Sequence, residues 1–172
     1  MTLTYSKIEE IECITSDLLK ECYGNIGIVP PINLNLLIKS QNLIIKLGMF
    51  KEPDIDGVYD RNKKTIFLSI KSSRERQVFT AAHELGHHIL HSHKSNEIFR
   101  RENTPPTDVT QKPEEAEANW FAASLLMPRE LVLQLGGSEG VPNIIAKRFG
   151  VSAAAAYYRL KNLGFIVEKN DQ

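Results

Sequence analysis

Five residues near the middle of the chain, His83-Glu84-Leu85-Gly86-His87, have the types and spacing needed for metal-assisted hydrolysis. On an α-helix, side chains four positions apart differ by about 40° in direction and about 6 Å in height. The imidazoles of His83 and His87 can therefore converge on one ion. Zinc accepts histidine nitrogen at about 2.0–2.1 Å, and a catalytic zinc takes three protein ligands and keeps a fourth position for water. Such an ion brings the pKa of water down to about 7. Glu84 follows the first histidine and supplies a carboxylate that can take the proton from that water as it attacks a carbonyl carbon. A five-residue pattern can arise by chance, but this one sits inside VFTAAHELGHHILH, where Phe79, Ala82, Gly86 and Leu90 form an apolar face at helical spacing. A helix buried along that face carries ionisable groups at a cost unless they are paired or bound.

Two histidines leave a third protein ligand to be found. All five histidines of the chain lie between positions 83 and 93. His93 stands six residues after His87, the spacing of an extended HExxHxxGxxH pattern, but position 90 is Leu where that pattern needs the turning glycine. On a continuous helix His93 points about 80° away from His83 and lies about 15 Å along the axis. Helical geometry also directs His88 and His91 off the site, and they read as capping or surface residues. The better source is the second helical segment, PEEAEANWFAASLLMP at 113–128, with Glu114, Glu115 and Glu117 in its first turns. Glu115 shares the buried face through the 115, 118, 119, 122 spacing, and Asn119, one turn on, is placed to hydrogen-bond a ligating histidine. The alternative for these acids is placement at a positive helix N-terminus, expected for two of the three. The spacing favours Glu115 while leaving Glu114 and Glu117 open.

The elements that position these groups can be read around them. Ile8, Ile11, Leu18 and Leu19 mark an amphipathic helix over 4–22, which ends before Gly24, Gly27, Pro30 and Pro31. A short helix is expected over 32–40 and a strand over 43–50. Val58-Tyr59 and Thr65 to Ile70 flank a polar tip, Asp60 to Lys64, in a hairpin pattern. Ser73 caps a helix from about Arg74 to His91, a polar loop runs from Ser92 to about Lys112, and Pro113 opens the next helix. Near the end, Gly150 and Ser152 supply the turn and cap of a helix–turn–helix pattern over 141–163. Lys147, Arg148, Arg159 and Lys161 make it basic, but the first turn of its second helix is four alanines, Ala153 to Ala156. Bases are read by polar side chains from that turn, so DNA contact is disfavoured and packing or partner recognition is expected. Tyr157 and Tyr158 read as core and boundary residues.

Composition narrows the classes. Of 172 residues, 42% are hydrophobic, enough for a packed core, and 21 basic residues balance 21 acidic ones. Bulk charge thus points to neither nucleic acid nor membrane. No run approaches the roughly 20 apolar residues of a membrane span, and the N-terminal stretch has no signal-peptide pattern. Cys13 and Cys22 are far from CxxC spacing, which suits a reducing compartment. A cytoplasmic protein is expected.

Three segments carry a family resemblance: FTAAHELGHHILH at 79–91, EAEANWFAASLLMP at 115–128, and DIDGVYD with KTIFLSI between 54 and 70. Together they resemble the ImmA/IrrE family of metallo-endopeptidases. The resemblance implies zinc held by His83, His87 and Glu115, with Glu84 as general base. It also implies a protein substrate, a helix–turn–helix repressor of a mobile element, prophage or stress response. The expected architecture is α+β, with a small antiparallel sheet packed on a zincin-like helical core over 1–130 and a helical, helix–turn–helix-like segment over 131–172. Two other roles stand beside it: a regulator that binds a repressor or DNA without cutting, and the toxin of a toxin–antitoxin pair. The retained Glu84 weighs against the first, because a structural zinc site takes four protein ligands and needs no base.

Overall fold

A computed structural model describes residues 3–52, 54–92, 98–102, 112–136 and 139–166, with backbone alone over 98–102. Helix α1, Tyr5–Tyr23, starts at Thr4, whose hydroxyl accepts from the Lys7 N–H, and buries Ile11, Thr15, Leu18 and Leu19. A 3-10 turn over Gly24–Ile26 ends it, and Asn33 caps the short α2, Leu34–Ser40. Three strands follow, β1 Ile44–Gly48, β2 Ile55–Asp60 and β3 Thr65–Ser69, then α3, Arg74–Leu90. Ser73 caps α3 as expected, accepting from the Arg76 N–H. Strand β4, Ile98–Glu102, precedes α4, Pro113–Leu126, and the chain closes with α5 Arg129–Gln134, α6 Pro142–Phe149 and α7 Ala153–Asn162.

The molecule is α+β, and the described residues form one small sheet in the order β1-β3-β2-β4. The sheet is mixed, where an antiparallel one was expected. Strand β3 turns back from β2 into the space between β2 and β1, so it pairs antiparallel with β2 and parallel with β1, Ile44 facing Thr65 and Gly48 facing Ser69. Side-chain alternation within a strand marks its buried face and not its neighbour, which is why this pairing escapes the sequence pattern. The stretch expected as a loop from Ser92 to Lys112 contains β4, antiparallel to β2 with Ile98 opposite Asp60. Its short apolar start among polar neighbours gives no strand signal, and pairing with β2 makes it a strand.

Helix α3 lies across the sheet, and Gly57 in β2 allows the close approach. A Cβ there would stand 2.4 Å from the Thr80 methyl. Asp56 fixes the start of α3 to β2: one carboxylate oxygen accepts from Arg76 Nε at 2.9 Å and the other from Ser72 Oγ at 2.7 Å. On the far side α4 packs on both α3 and α1. One apolar cluster joins α1, α2, the sheet, α3, α4 and the last two helices through Ile11, Leu37, Ile66, Leu85, Phe121, Phe149 and Leu160.

The last helices have the expected turn. Gly150 is left-handed at φ 66° and closes α6, and Ser152 Oγ accepts from the Ala155 N–H to open α7. Arg159, one of the basic residues of that segment, is 1% exposed. It donates to both oxygens of Glu12 at 2.5 and 3.0 Å and to the Met127 carbonyl. It therefore fastens α7 to α1 and α4 and presents no charge to solvent. Among the described residues, no helix is long and apolar enough to cross a membrane.

Candidate metal centre

The middle of α3 is buried all round, from Thr80 to His87. Its polar members include His83, Glu84 and His87, each at most 1% exposed. Where α4 crosses α3 it brings polar partners to His83 and His87. Gly86 favours a close crossing: a Cβ there would lie 3.1–3.2 Å from Phe121 side-chain atoms, tighter than most side-chain contacts, so any larger residue would have to push the Phe121 turn of α4 back by a few tenths of an ångström. Pro113 opens α4, and its first turn carries Glu115 to His83 and His87.

His83 Nε2 and His87 Nε2 are 3.0 Å apart. Glu115 Oε2 lies 3.2 Å from the first and Oε1 3.2 Å from the second. These three residues form a cluster able to hold a metal ion. A tetrahedral ion with bonds of about 2.0–2.1 Å sets its ligand atoms about 3.3 Å apart, close to the separations found. Burial pushes the Glu115 carboxyl up, but hydrogen bonds and charge from His83 and His87 outweigh it and hold the carboxyl well below the usual carboxylate range. A ligand set needs an ionised carboxylate of this kind.

Asn119 takes the place expected for it: its Oδ1 lies 3.0 Å from His83 Nδ1 and accepts the proton on the outer nitrogen. His83, His87, Glu115 and Asn119 are thus brought together as the sequence suggested, and Glu84 is buried one residue from His83. His93 lies outside the described residues. His91 is the C-cap residue of α3, its N–H bonding the His87 carbonyl, so it caps as expected but is not on the surface. It is 3% exposed, its Nδ1 is 3.0 Å from His87 Nδ1, and its Nε2 is 3.2 Å from Glu117 Oε2. Glu117 is accordingly more than a first-turn acid. The available signal was the 83, 87, 91 stripe, which continues the i, i+4 row by one turn.

His88 is also engaged. Tyr59, fully buried in β2, has its hydroxyl 2.5 Å from His88 Nδ1. Burial raises the phenol and lowers His88, and Arg61 and Lys64 lower His88 further. A phenol O–H donating to a neutral imidazole fits both shifts. The Arg61 side chain passes over the Tyr59 ring and donates to the carbonyls of His87 and His91 at 3.3 and 3.1 Å, closing the last turn of α3.

The sequence model of the peptidase M78 family, described as the IrrE N-terminal-like domain, matches residues 41–161. The chain belongs to the ImmA/IrrE family. Membership in this metallopeptidase family implies a metal ion, and the His-His-Glu cluster is present for one. Among its relatives, an uncharacterized immunity region protein 2 of Bacillus phage phi105 is 34% identical over 59% of this chain and 61% of its own. The radiation response metalloprotease IrrE of Deinococcus deserti is 33% identical over 61% of this chain and 38% of its own. Its counterpart in Deinococcus radiodurans is 30% identical, with 33% of its length matched. The chain thus spans between a third and two thirds of the curated relatives it matches. A Mycobacterium tuberculosis transcriptional regulator shares the fold, with a TM-score of 0.66 at 12% identity over 98% of this chain and 51% of that one.

Proposed function

We propose that this ImmA/IrrE family member is a zinc-dependent endopeptidase that hydrolyses a peptide bond in a partner protein, with His83, His87 and Glu115 as zinc ligands and Glu84 as general base. The observation that carries the reading is the meeting of two buried histidines and an ionised glutamate from different helices, with a second buried carboxylate, Glu84, directly after His83 on the same helix. When bound, zinc supplies Lewis acidity, lowering the pKa of water and polarising a carbonyl. The protein's own groups do the rest. Asn119 accepts from His83 Nδ1 and so turns the other ring nitrogen toward the cluster. The Glu84 carboxylate takes the proton from the attacking water and returns it to the departing amine. Packing of α4 on α3 buries His83, Glu84 and His87 and leaves Glu115 partly exposed, and burial strengthens the electrostatic interactions of these groups. Among the described residues strand β4 is an edge of the sheet and lies beside α3, and an extended substrate segment pairing along it would pass beside the helix.

The substrate we propose is a helix–turn–helix repressor of a mobile element, prophage or stress response. The phage relative is named for an immunity region and the Deinococcus relatives for a radiation response metalloprotease, and both settings suit removal of a repressor. Zinc-loaded chain should be incubated with helix–turn–helix repressors encoded by neighbouring genes, and the products weighed by mass spectrometry. Cleavage at one bond by the native chain, absent with Glu84→Gln, supports the proposal. Release of the repressor from its operator by Glu84→Gln as readily as by the native chain would replace it with a non-cleaving regulator.

A further inference from the structure

The two clustered imidazoles are held in different ways. His83 has a direct acceptor, Asn119 Oδ1, on its outer nitrogen. His87 meets another imidazole, with the two Nδ1 atoms 3.0 Å apart. A pair of ring nitrogens at that distance is favourable only when one carries hydrogen and the other a lone pair. His91 has a further contact, Nε2 to Glu117 Oε2 at 3.2 Å, and an ionised carboxylate only accepts. For a neutral His91 with a single ring hydrogen, the two contacts favour one order of donors. His91 carries its hydrogen on Nε2 and donates it to Glu117. His91 Nδ1 is then the acceptor, His87 Nδ1 is the donor, and the lone pair of His87 sits on Nε2, which faces His83 and Glu115. The opposite order would set a bare His91 Nε2 against the carboxylate and an N–H of His87 inside the cluster.

The surroundings hold this chain of donors in place. His91 is enclosed, with a side chain 4% exposed, while that of Glu117 is 19% exposed. The last turn of α3 is closed by the His91 N–H bonding the His87 carbonyl at 3.2 Å and by the Arg61 guanidinium donating to both the His87 and His91 carbonyls. His91 therefore keeps its helical register under His87.

We propose that His91 and Glu117 are positioning residues for His87, a carboxylate–histidine pair that fixes its tautomer and ring direction so that its Nε2 lone pair points at the metal. The inference rests on His83, His87 and Glu115 binding metal, and goes beyond it by giving a task to two residues outside that set. Outer partners of metal-binding histidines affect metal affinity by about 10- to 100-fold.

The test is zinc affinity by competition with a chromophoric chelator, on the native chain, Glu117→Gln and His91→Phe. Glu117→Gln keeps the shape of the side chain and removes its charge. His91→Phe keeps a buried ring and removes the acceptor. Each should weaken zinc binding about tenfold or more, while Glu130→Gln, an exposed acid on α5, leaves it unchanged. Long-range proton–nitrogen correlation spectra of the zinc-loaded native chain should show His91 protonated at Nε2 and not at Nδ1, a readout that needs no variant to fold. Native affinity in both variants, or a His91 proton on Nδ1, overturns the positioning role and leaves the metal site standing. A native chain that binds no zinc overturns the metal site and this role with it.

Discussion

At the scale of single residues, Glu84 and Glu115 are two buried or half-buried carboxylates with separate proposed tasks, and the tasks predict separate losses. Glu115 contacts both histidines, so Glu115→Ala should empty the site: zinc per chain, measured by plasma mass spectrometry, should fall from near one to near zero. Glu84→Gln should keep the zinc and lower the rate of peptide hydrolysis by about 10²- to 10⁴-fold, the usual contribution of a positioned general base. Zinc retained in Glu115→Ala would remove that residue from the ligand set. Much of this was legible because the decisive spacing is local: a helix brings residues 83 and 87 onto one face whatever surrounds it. His91 and Glu117 were not legible in the same way. Their contact joins residues 26 apart in sequence and depends on how closely two helices cross, which the i, i+4 rule does not contain.

Elements show the same division. The long helices were legible from their apolar rows and caps, down to Ser73 on α3 and Pro113 on α4. The sheet was only partly so. The β2–β3 hairpin follows from a local turn, whereas the parallel β1–β3 pairing and the β4 strand follow from partners distant in sequence. Gly86 belongs to this level, because its effect is on the distance between α3 and α4. A methyl group there gains about 1 kcal/mol in helix propensity and meets Phe121, which is fully buried and has little room to yield. Overpacking of this kind costs about 1–3 kcal/mol, so Gly86→Ala should change overall stability by no more than about 2 kcal/mol. Its clearer effect should be on the metal, since α4 carries Glu115 and Asn119 while α3 carries the histidines. Zinc affinity should drop several-fold in Gly86→Ala and return when Phe121→Leu makes space. No drop in the single variant would mean that the crossing distance does not govern the site.

For the whole molecule, the proposed metal centre links two helices, α3 and α4, that meet only in the folded chain. Helix α1 meets α4 along its length, α3 lies between α4 and the sheet, and α7 is tied back to α1 and α4 by the buried Arg159–Glu12 pair. The helix α4 thus lies at the centre of the fold, and the three proposed ligands meet only when α4 is seated on α3. Unfolded chain retains at most the local pair His83 and His87, so zinc should bind the native state far better and stabilise it by linkage. At a free concentration 100 times the dissociation constant the gain is about 2.7 kcal/mol. With about 2–4 °C per kcal/mol for a chain of this size, the unfolding midpoint should rise by about 5–10 °C when zinc is added to chelator-treated protein. Glu115→Ala should show a small fraction of that rise, because only two ligands remain and both sit on one helix. A full rise in Glu115→Ala would place the stabilising ion elsewhere on the molecule, and no rise in native protein would mean that the cluster of His83, His87 and Glu115 does not hold zinc in the folded state.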